Sequence, residues 1–209
     1  MNKTTEIISA QNPDAIVKAT KVLKAGGLVV FPTDTLYGLG ADANNPQAIR
    51  SIYTAKDRPI EKAIPVLIGD FTQLYLVTEQ LDARVKILTD VFWPGALTLI
   101  LRKKTGLPEE LSQSDTLGLR MPAHPFALAL LQLSGPLAVS SANISGAENP
   151  INAEQVLQQL NGRIDLIIDG GDIPIGKAST VVDCTGSELV CLREGPIDFR
   201  EIQQVWETE

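Results

Sequence analysis

Short apolar runs of strand length alternate with capped stretches of helix length along almost the whole chain, which restricts the fold to a sheet covered by helices. Residues 28–31, 64–68, 96–101, 116–120, 137–140, 164–168, 180–184 and 189–192 read as strands. The helices are marked by punctuation. Asn12 and Pro13 open one that Gly26-Gly27 closes, with Ile16, Val17, Val22 and Leu23 as its apolar stripe. Asn45-Pro46 opens a second, carrying Ile49, Ile52 and Tyr53, which must end before Arg58-Pro59. Residues 81–92 are helical in spacing until Trp93-Pro94-Gly95 breaks them, and 125–133 form a helix stopped by Gly135-Pro136. Asn152 with Gln155 makes a capping box for a helix ending near Asn161-Gly162, and Asp198 with Glu201 caps a last helix through Trp206. Turns separate some strands and helices separate others, so the sheet should be mixed and not purely parallel. No repeat, low-complexity stretch or linker interrupts residues 1–209. The expectation is one α/β (α+β) domain, with a core over 12–196 and a C-terminal helix over 198–206.

Bulk properties narrow the function. A formal charge of −7 argues against a surface built mainly to grip a polyanion, though a few Lys and Arg gathered in one concavity are compatible with it. Residues 1–10 lack the apolar core of a secretory signal, and no run approaches the ~18 apolar residues of a membrane span. The two cysteines, Cys184 and Cys191, lack zinc-site spacing and read as small core residues on neighbouring strands. A cytoplasmic protein without membrane contact is expected.

Several segments hold side chains suited to chemistry. Pro32-Thr33-Asp34-Thr35-Leu36-Tyr37-Gly38-Leu39-Gly40 follows a buried strand, where open α/β sheets place ligand loops. It reads equally well as a tight turn in which Asp34 and Thr35 satisfy local backbone groups. Lys56-Asp57-Arg58-Pro59 aims two cations from a helix end, either at one anion or at the helix dipole. Arg120 ends an apolar strand and needs an acid, supplied by a ligand or by an internal Asp or Glu. Ser140-Ser141-Ala142-Asn143-Ile144-Ser145-Gly146 suits a phosphate nest or a plain Ser/Asn turn. Gly171-Asp172-Ile173-Pro174-Ile175-Gly176-Lys177 mimics a P-loop, but Ala178 stands where a magnesium-binding hydroxyl belongs and the residues that follow favour a strand. The lone histidine, His124 before Pro125, suits a helix cap better than a catalytic triad.

In their order, Pro32-Thr33-Asp34-Thr35 with Tyr37-Gly38-Leu39, Lys56-x-Arg58-Pro59, Trp93-Pro94-Gly95, Arg120-Met121-Pro122, Ser141-Ala142-Asn143 and Arg193-Glu194-Gly195-Pro196 resemble the YrdC-like threonylcarbamoyl-AMP synthases of the single-domain TsaC type. The resemblance implies a YrdC-like fold, a mixed sheet with flanking helices around a concave cleft. It implies a nucleotidyltransferase that joins L-threonine, bicarbonate or CO2, and ATP into threonylcarbamoyl-AMP and pyrophosphate. The product would pass to a separate complex that modifies tRNA. Thr33, Arg120 and Ser179 would hold threonine, and Lys56 and Arg58 would act on the ATP phosphates. Thr116, Ser141, Asn143, Asn149 and Arg193 would line the nucleotide region. Leu67 stands where some relatives carry histidine. Magnesium would arrive with ATP, with no metal-ligating residues of the protein's own. The end of the chain soon after Trp206 suggests that the second domain of longer relatives is lacking. Two rivals stand: an RNA-binding module of the same fold, using Lys56, Arg58 and Arg120 on phosphates, and a carbamoyl-adenylate enzyme with another amine or carbamoyl donor.

Overall fold

The computed structural model describes residues 4–79, 81–173 and 175–207. Among these residues, ten strands make one mixed sheet: β1 (Glu6–Ser9), β2 (Val29–Pro32), β3 (Tyr37–Asp42), β4 (Val66–Leu67), β5 (Leu97–Arg102), β6 (Thr116–Arg120), β7 (Leu137–Ser141), β8 (Leu166–Asp169), β9 (Thr180–Asp183) and β10 (Val190–Arg193). Their spatial order is β1-β8-β2-β3-β7-β4-β6-β5-β9-β10. Seven described helices flank it: α1 (Ala15–Lys24), α2 (Pro46–Lys56), α3 (Phe71–Val77), α4 (Ala83–Phe92), α5 (Pro125–Ser134), α6 (Ala153–Leu160) and α7 (Phe199–Trp206). None of the helices described is long and apolar enough to cross a membrane.

Side chains alternate between the two faces of a strand, so the apolar runs divide into two cores. Leu28, Val30, Leu39, Ala138 and Ile167 face one core, with Ile49 and Ile52 of α2 and Val156 of α6. Val29, Phe31, Val139, Leu166 and Ile168 face the other, with Ala15, Ala19 and Leu23 of α1 and Leu130 and Leu131 of α5. Each Val, Leu, Ile or Phe among them that is fully removed from water contributes roughly 1.5–3 kcal/mol.

The structure departs from the sequence reading in several places. Residues 37–40 are not loop but the start of β3, which pairs antiparallel with β2 and β7. Gly38 and Gly40 weaken any strand signal. Here they answer a steric demand, since a Cβ at Gly38 would lie 2.7 Å from Val139 Cγ1 and one at Gly40 2.8 Å from Phe31 Cε1. Strand β1 and helix α3 were not anticipated either; β1 buries little, and α3 is only 7 residues long. Asn12 does not cap α1, because its Oδ1 accepts from Asp14 N (2.9 Å) and the helix begins later, at Ala15. The buried face of α1 is Ala15, Ala19, Thr20 and Leu23, while Val17 is 47% exposed. Other caps form as read: Asn45, Asn152 and Asp198 accept from Ala48 N, Gln155 N and Arg200 N. Gln155 returns its bond to Ile151 N, one residue before the cap. Cys191 lies on β10 and Cys184 just past β9, and both are free; burial pushes the Cys184 thiol up to about 12.

Candidate active site

On the face that α1 and α5 cover over β2, β7 and β8, the strands β6, β5 and β9 floor a cavity of about 360 Å³. The floor is made of alternate residues: Thr98 and Ile100 from β5, Gly118 and Arg120 from β6, and Val181 from β9. Their neighbours Leu97, Leu99, Leu117, Leu119 and Val182 turn to the opposite core. Gly118 keeps the floor low, since a Cβ there would meet Pro65 Cβ at 3.2 Å and Thr98 Cγ2 at 3.3 Å.

The β2–β3 turn forms one wall. Thr33 Oγ1 donates to Leu36 O (2.6 Å) and accepts from Thr35 N and Leu36 N (3.2 Å each), so the turn takes up the whole capacity of this hydroxyl. The Thr35 hydroxyl lies 3.2 Å from that of Thr33, and Thr35 and Asp34 both accept from Arg120. Arg120 Nη1 donates to Thr35 Oγ1 (2.7 Å), Nη2 to Asp34 Oδ1 (2.5 Å) and Nε to Gly95 O (2.8 Å). Burial pushes the Arg120 pKa down and the Asp34 carboxylate opposes it; the guanidinium stays charged. Tyr37 O–H donates to Gly171 O (2.7 Å) and accepts from Gly170 N (3.0 Å), tying this wall to the end of β8, and burial raises its pKa. His124 caps α5 through Nδ1, with its pKa lowered by burial.

Asp57 holds a left-handed conformation (φ 50°) at the end of α2, and the chain diverges there. Arg58 turns to the cavity, held by Nε to Lys62 O (3.2 Å) and Nη2 to Ala63 O (2.9 Å). Lys56 turns inward and is 1% exposed. Its Nζ donates to Ser141 O, Asn143 O (2.5 Å) and Asn143 Oδ1 (3.3 Å). Burial, then the Arg58 charge, lower its pKa to about 7. Across the cavity, Arg193 Nε donates to Ser179 O (3.0 Å) and Nη2 to Ser179 Oγ (3.2 Å), while Ser179 Oγ also bonds Thr98 Oγ1 (2.8 Å). Arg58, Arg120 and Arg193 all line the cavity, and among the described residues only Arg120 of the three forms an ion pair.

The model of the Sua5/YciO/YrdC family, described as telomere recombination, matches residues 21–195. The chain belongs to this family. A Bacillus subtilis member named threonylcarbamoyl-AMP synthase is 45% identical over 96% of this chain and 59% of its own length. A Mycobacterium tuberculosis member is 39% identical over 96% of this chain and 95% of its own. Crystalline Pyrococcus abyssi Sua5 complexed with L-threonine superposes with a TM-score of 0.89 at 39% identity, over 98% of this chain and 61% of that one. Escherichia coli YciO gives 0.82 at 29% identity, over 94% and 97%. The chain thus spans less than two thirds of the Bacillus and Pyrococcus proteins.

Within this Sua5/YciO/YrdC domain, Thr33, Arg58, Arg120, Ser141, Asn149, Ser179 and Arg193 converge on the cavity from distant parts of the chain. Three expected residues are placed otherwise. Lys56 and Asn143 lie behind the wall, bonded to each other, and Asn143 Nδ2 donates to Ile144 O (3.0 Å) and Ala147 O (2.7 Å). Thr116 shares the face of Gly118 and Arg120 but sits four residues from Arg120, ~13 Å along β6, against Ser114. Thr98, Gly118 and Val181 were missed, while Thr35, read as part of the Pro32–Gly40 segment, lines the cavity and holds Arg120. A period of two counted back from Arg120 reaches Gly118; the others needed the strand pairing. Leu67 pairs in register with Arg120 and presents an apolar side chain to the cavity. The P-loop mimic contains no described helix and leads directly to β9, as its composition implies.

Proposed function

We propose that this chain makes L-threonylcarbamoyl-AMP and pyrophosphate from L-threonine, CO2 or bicarbonate, and MgATP, as a cytoplasmic nucleotidyltransferase that supplies a tRNA-modifying complex. The observation that carries the reading is the guanidinium triad, Arg58, Arg120 and Arg193, around one cavity of about 360 Å³. Such a site suits two anions at once, a small carboxylate and a triphosphate. The threonine held by Pyrococcus Sua5 supports threonine as one substrate, and the name threonylcarbamoyl-AMP synthase borne by relatives supports the proposed product.

The chemistry needs no protein nucleophile. Threonine's neutral amine attacks CO2 and gives up a proton, leaving a carbamate; a carbamate oxygen then attacks the α-phosphorus while the bond to pyrophosphate breaks. What the protein supplies is position and positive charge. Arg120 takes threonine's carboxylate with its unused N–H groups, and Ser179 lies nearby with Arg193. Arg58 and Arg193, which form no ion pair with a carboxylate among the described residues, face the phosphates, with Ser141 and Asn149 on the nucleotide side. Lys56 supports the Ser141–Asn143 loop from behind. Magnesium enters with ATP as part of the substrate.

Purified chain given labelled threonine, bicarbonate and MgATP should release pyrophosphate only when threonine is present. Pyrophosphate release indifferent to threonine would sink the proposal. Salt-dependent RNA binding without turnover would favour an RNA-binding module in its place.

A further inference from the structure

The Arg120 guanidinium, on a side chain only 7% exposed, is fixed before any ligand arrives. Three of its N–H groups end on Gly95 O, Thr35 Oγ1 and Asp34 Oδ1. The same Asp34 oxygen accepts from Ala123 N (3.1 Å), so Asp34 joins the β2–β3 turn to the segment leaving β6. Arg120 and Thr35 line the cavity and Asp34 does not, which leaves Asp34 acting on the cavity through Arg120.

A guanidinium carries five N–H groups in a planar fork. With three occupied, one remains on each terminal nitrogen, and the protein partners set the plane in which they point. A cation buried this deeply also needs a counter-charge, which Asp34 supplies. We propose that Asp34 is a positioning residue for substrate recognition, holding the Arg120 fork so that its two remaining N–H groups meet the carboxylate of an α-amino acid in the cavity. This rests on the threonine reading above.

Asp34 acts on a ligand carboxylate with two opposite signs: its bonds orient the fork, and its charge repels the ligand. Asp34→Asn keeps an oxygen acceptor and removes the charge. Asp34→Ala removes both. Calorimetric titration of the full chain with L-threonine and with L-threoninol, in which CH2OH replaces the carboxylate, separates the effects. The wild type should prefer threonine. Asp34→Asn should bind threonine at least as tightly, whereas Asp34→Ala should lose at least tenfold and bind the two compounds within about twofold of each other. ATP affinity should stay the same in both variants. Thr35→Val takes the acceptor from Nη1 without altering charge; it should narrow the preference at least threefold, which keeps the test decisive if Asp34→Ala does not fold. A wild-type preference retained in full by Asp34→Ala and Thr35→Val overturns this assignment alone. A wild type that binds neither compound overturns the threonine reading, and this assignment with it.

Discussion

An ammonium group donates three hydrogen bonds, and at Lys56 all three end on oxygens of Ser141, the last residue of β7, and of Asn143. Lys56→Met takes the lysine donor from Ser141 O and Asn143 O, while Asn143 Oδ1 still accepts from Ser141 Oγ (2.5 Å), and should destabilise the chain by ~1–3 kcal/mol. The pH dependence has a definite sign. Lys56 falls from its usual 10.5 to about 7 in the folded chain. Between those two values the unfolded chain holds the proton more firmly, so this residue's contribution to stability rises with pH across the window. Urea unfolding from pH 6.5 to 9.5 should show that rise in the wild type and lose it in Lys56→Met. An identical pH slope in both proteins would remove Lys56 as its source. Residue type could flag Lys56 and Arg58 together, because both follow from the same motif. Burial then sent one inward and the other to the cavity, and no property of the Lys-x-Arg motif distinguishes them. Thr33 and Thr35 divide in the same way: one closes the turn and the other holds Arg120.

Strand β10 shows an element deciding what a residue does. Cys191 pairs with Val182 and Arg193 pairs with Val181, so the register shifts and Leu192 is the extra residue of a β-bulge. In a regular ladder Leu192 would have opposed Val181 and shared its cavity face. The bulge puts Arg193 there and leaves Leu192 56% exposed. Exchanging the two residues, Leu192→Arg with Arg193→Leu, keeps the composition and alters the facing. The exchange should raise the KM for ATP at least tenfold while shifting the melting temperature by less than 2 °C, of the order of a surface substitution. An unchanged KM would mean that Arg193 does not serve the nucleotide. The run at 189–192 was legible as a strand from its composition, but a one-residue bulge leaves no mark in an apolar run. Strand β3 was illegible for another reason: its glycines answer to Val139 and Phe31, on β7 and β2.

At the scale of the molecule, a chain of net charge −7 gathers three guanidiniums around one cavity. Anionic ligands that relieve their mutual repulsion bind the folded state alone, so they should stabilise it by mass action. At MgATP and threonine each 100 times its Kd, each ligand should add about 2.7 kcal/mol. Thermal scans should therefore rise by several degrees with each ligand. No rise with either would contradict a two-anion site. The sequence by itself determined the mixed α/β class, most helix caps and the segments that build the cavity, because periodicity and capping are local and the motifs keep their order along the chain. Only the tertiary structure decided that Lys56 and Asn143 lie behind the wall, that Thr116 falls outside the cavity, and that Asp34 is the acid Arg120 requires. Those outcomes depend on strand register, on a bulge and on contacts between residues 86 positions apart. Pairing across a sheet fixes such contacts, and local propensity carries no information about them. The segment from Pro32 to Gly40 contains both cases, with a turn readable from its hydroxyls and an ion pair that appears only once β6 lies beside β4 and brings Arg120 to it.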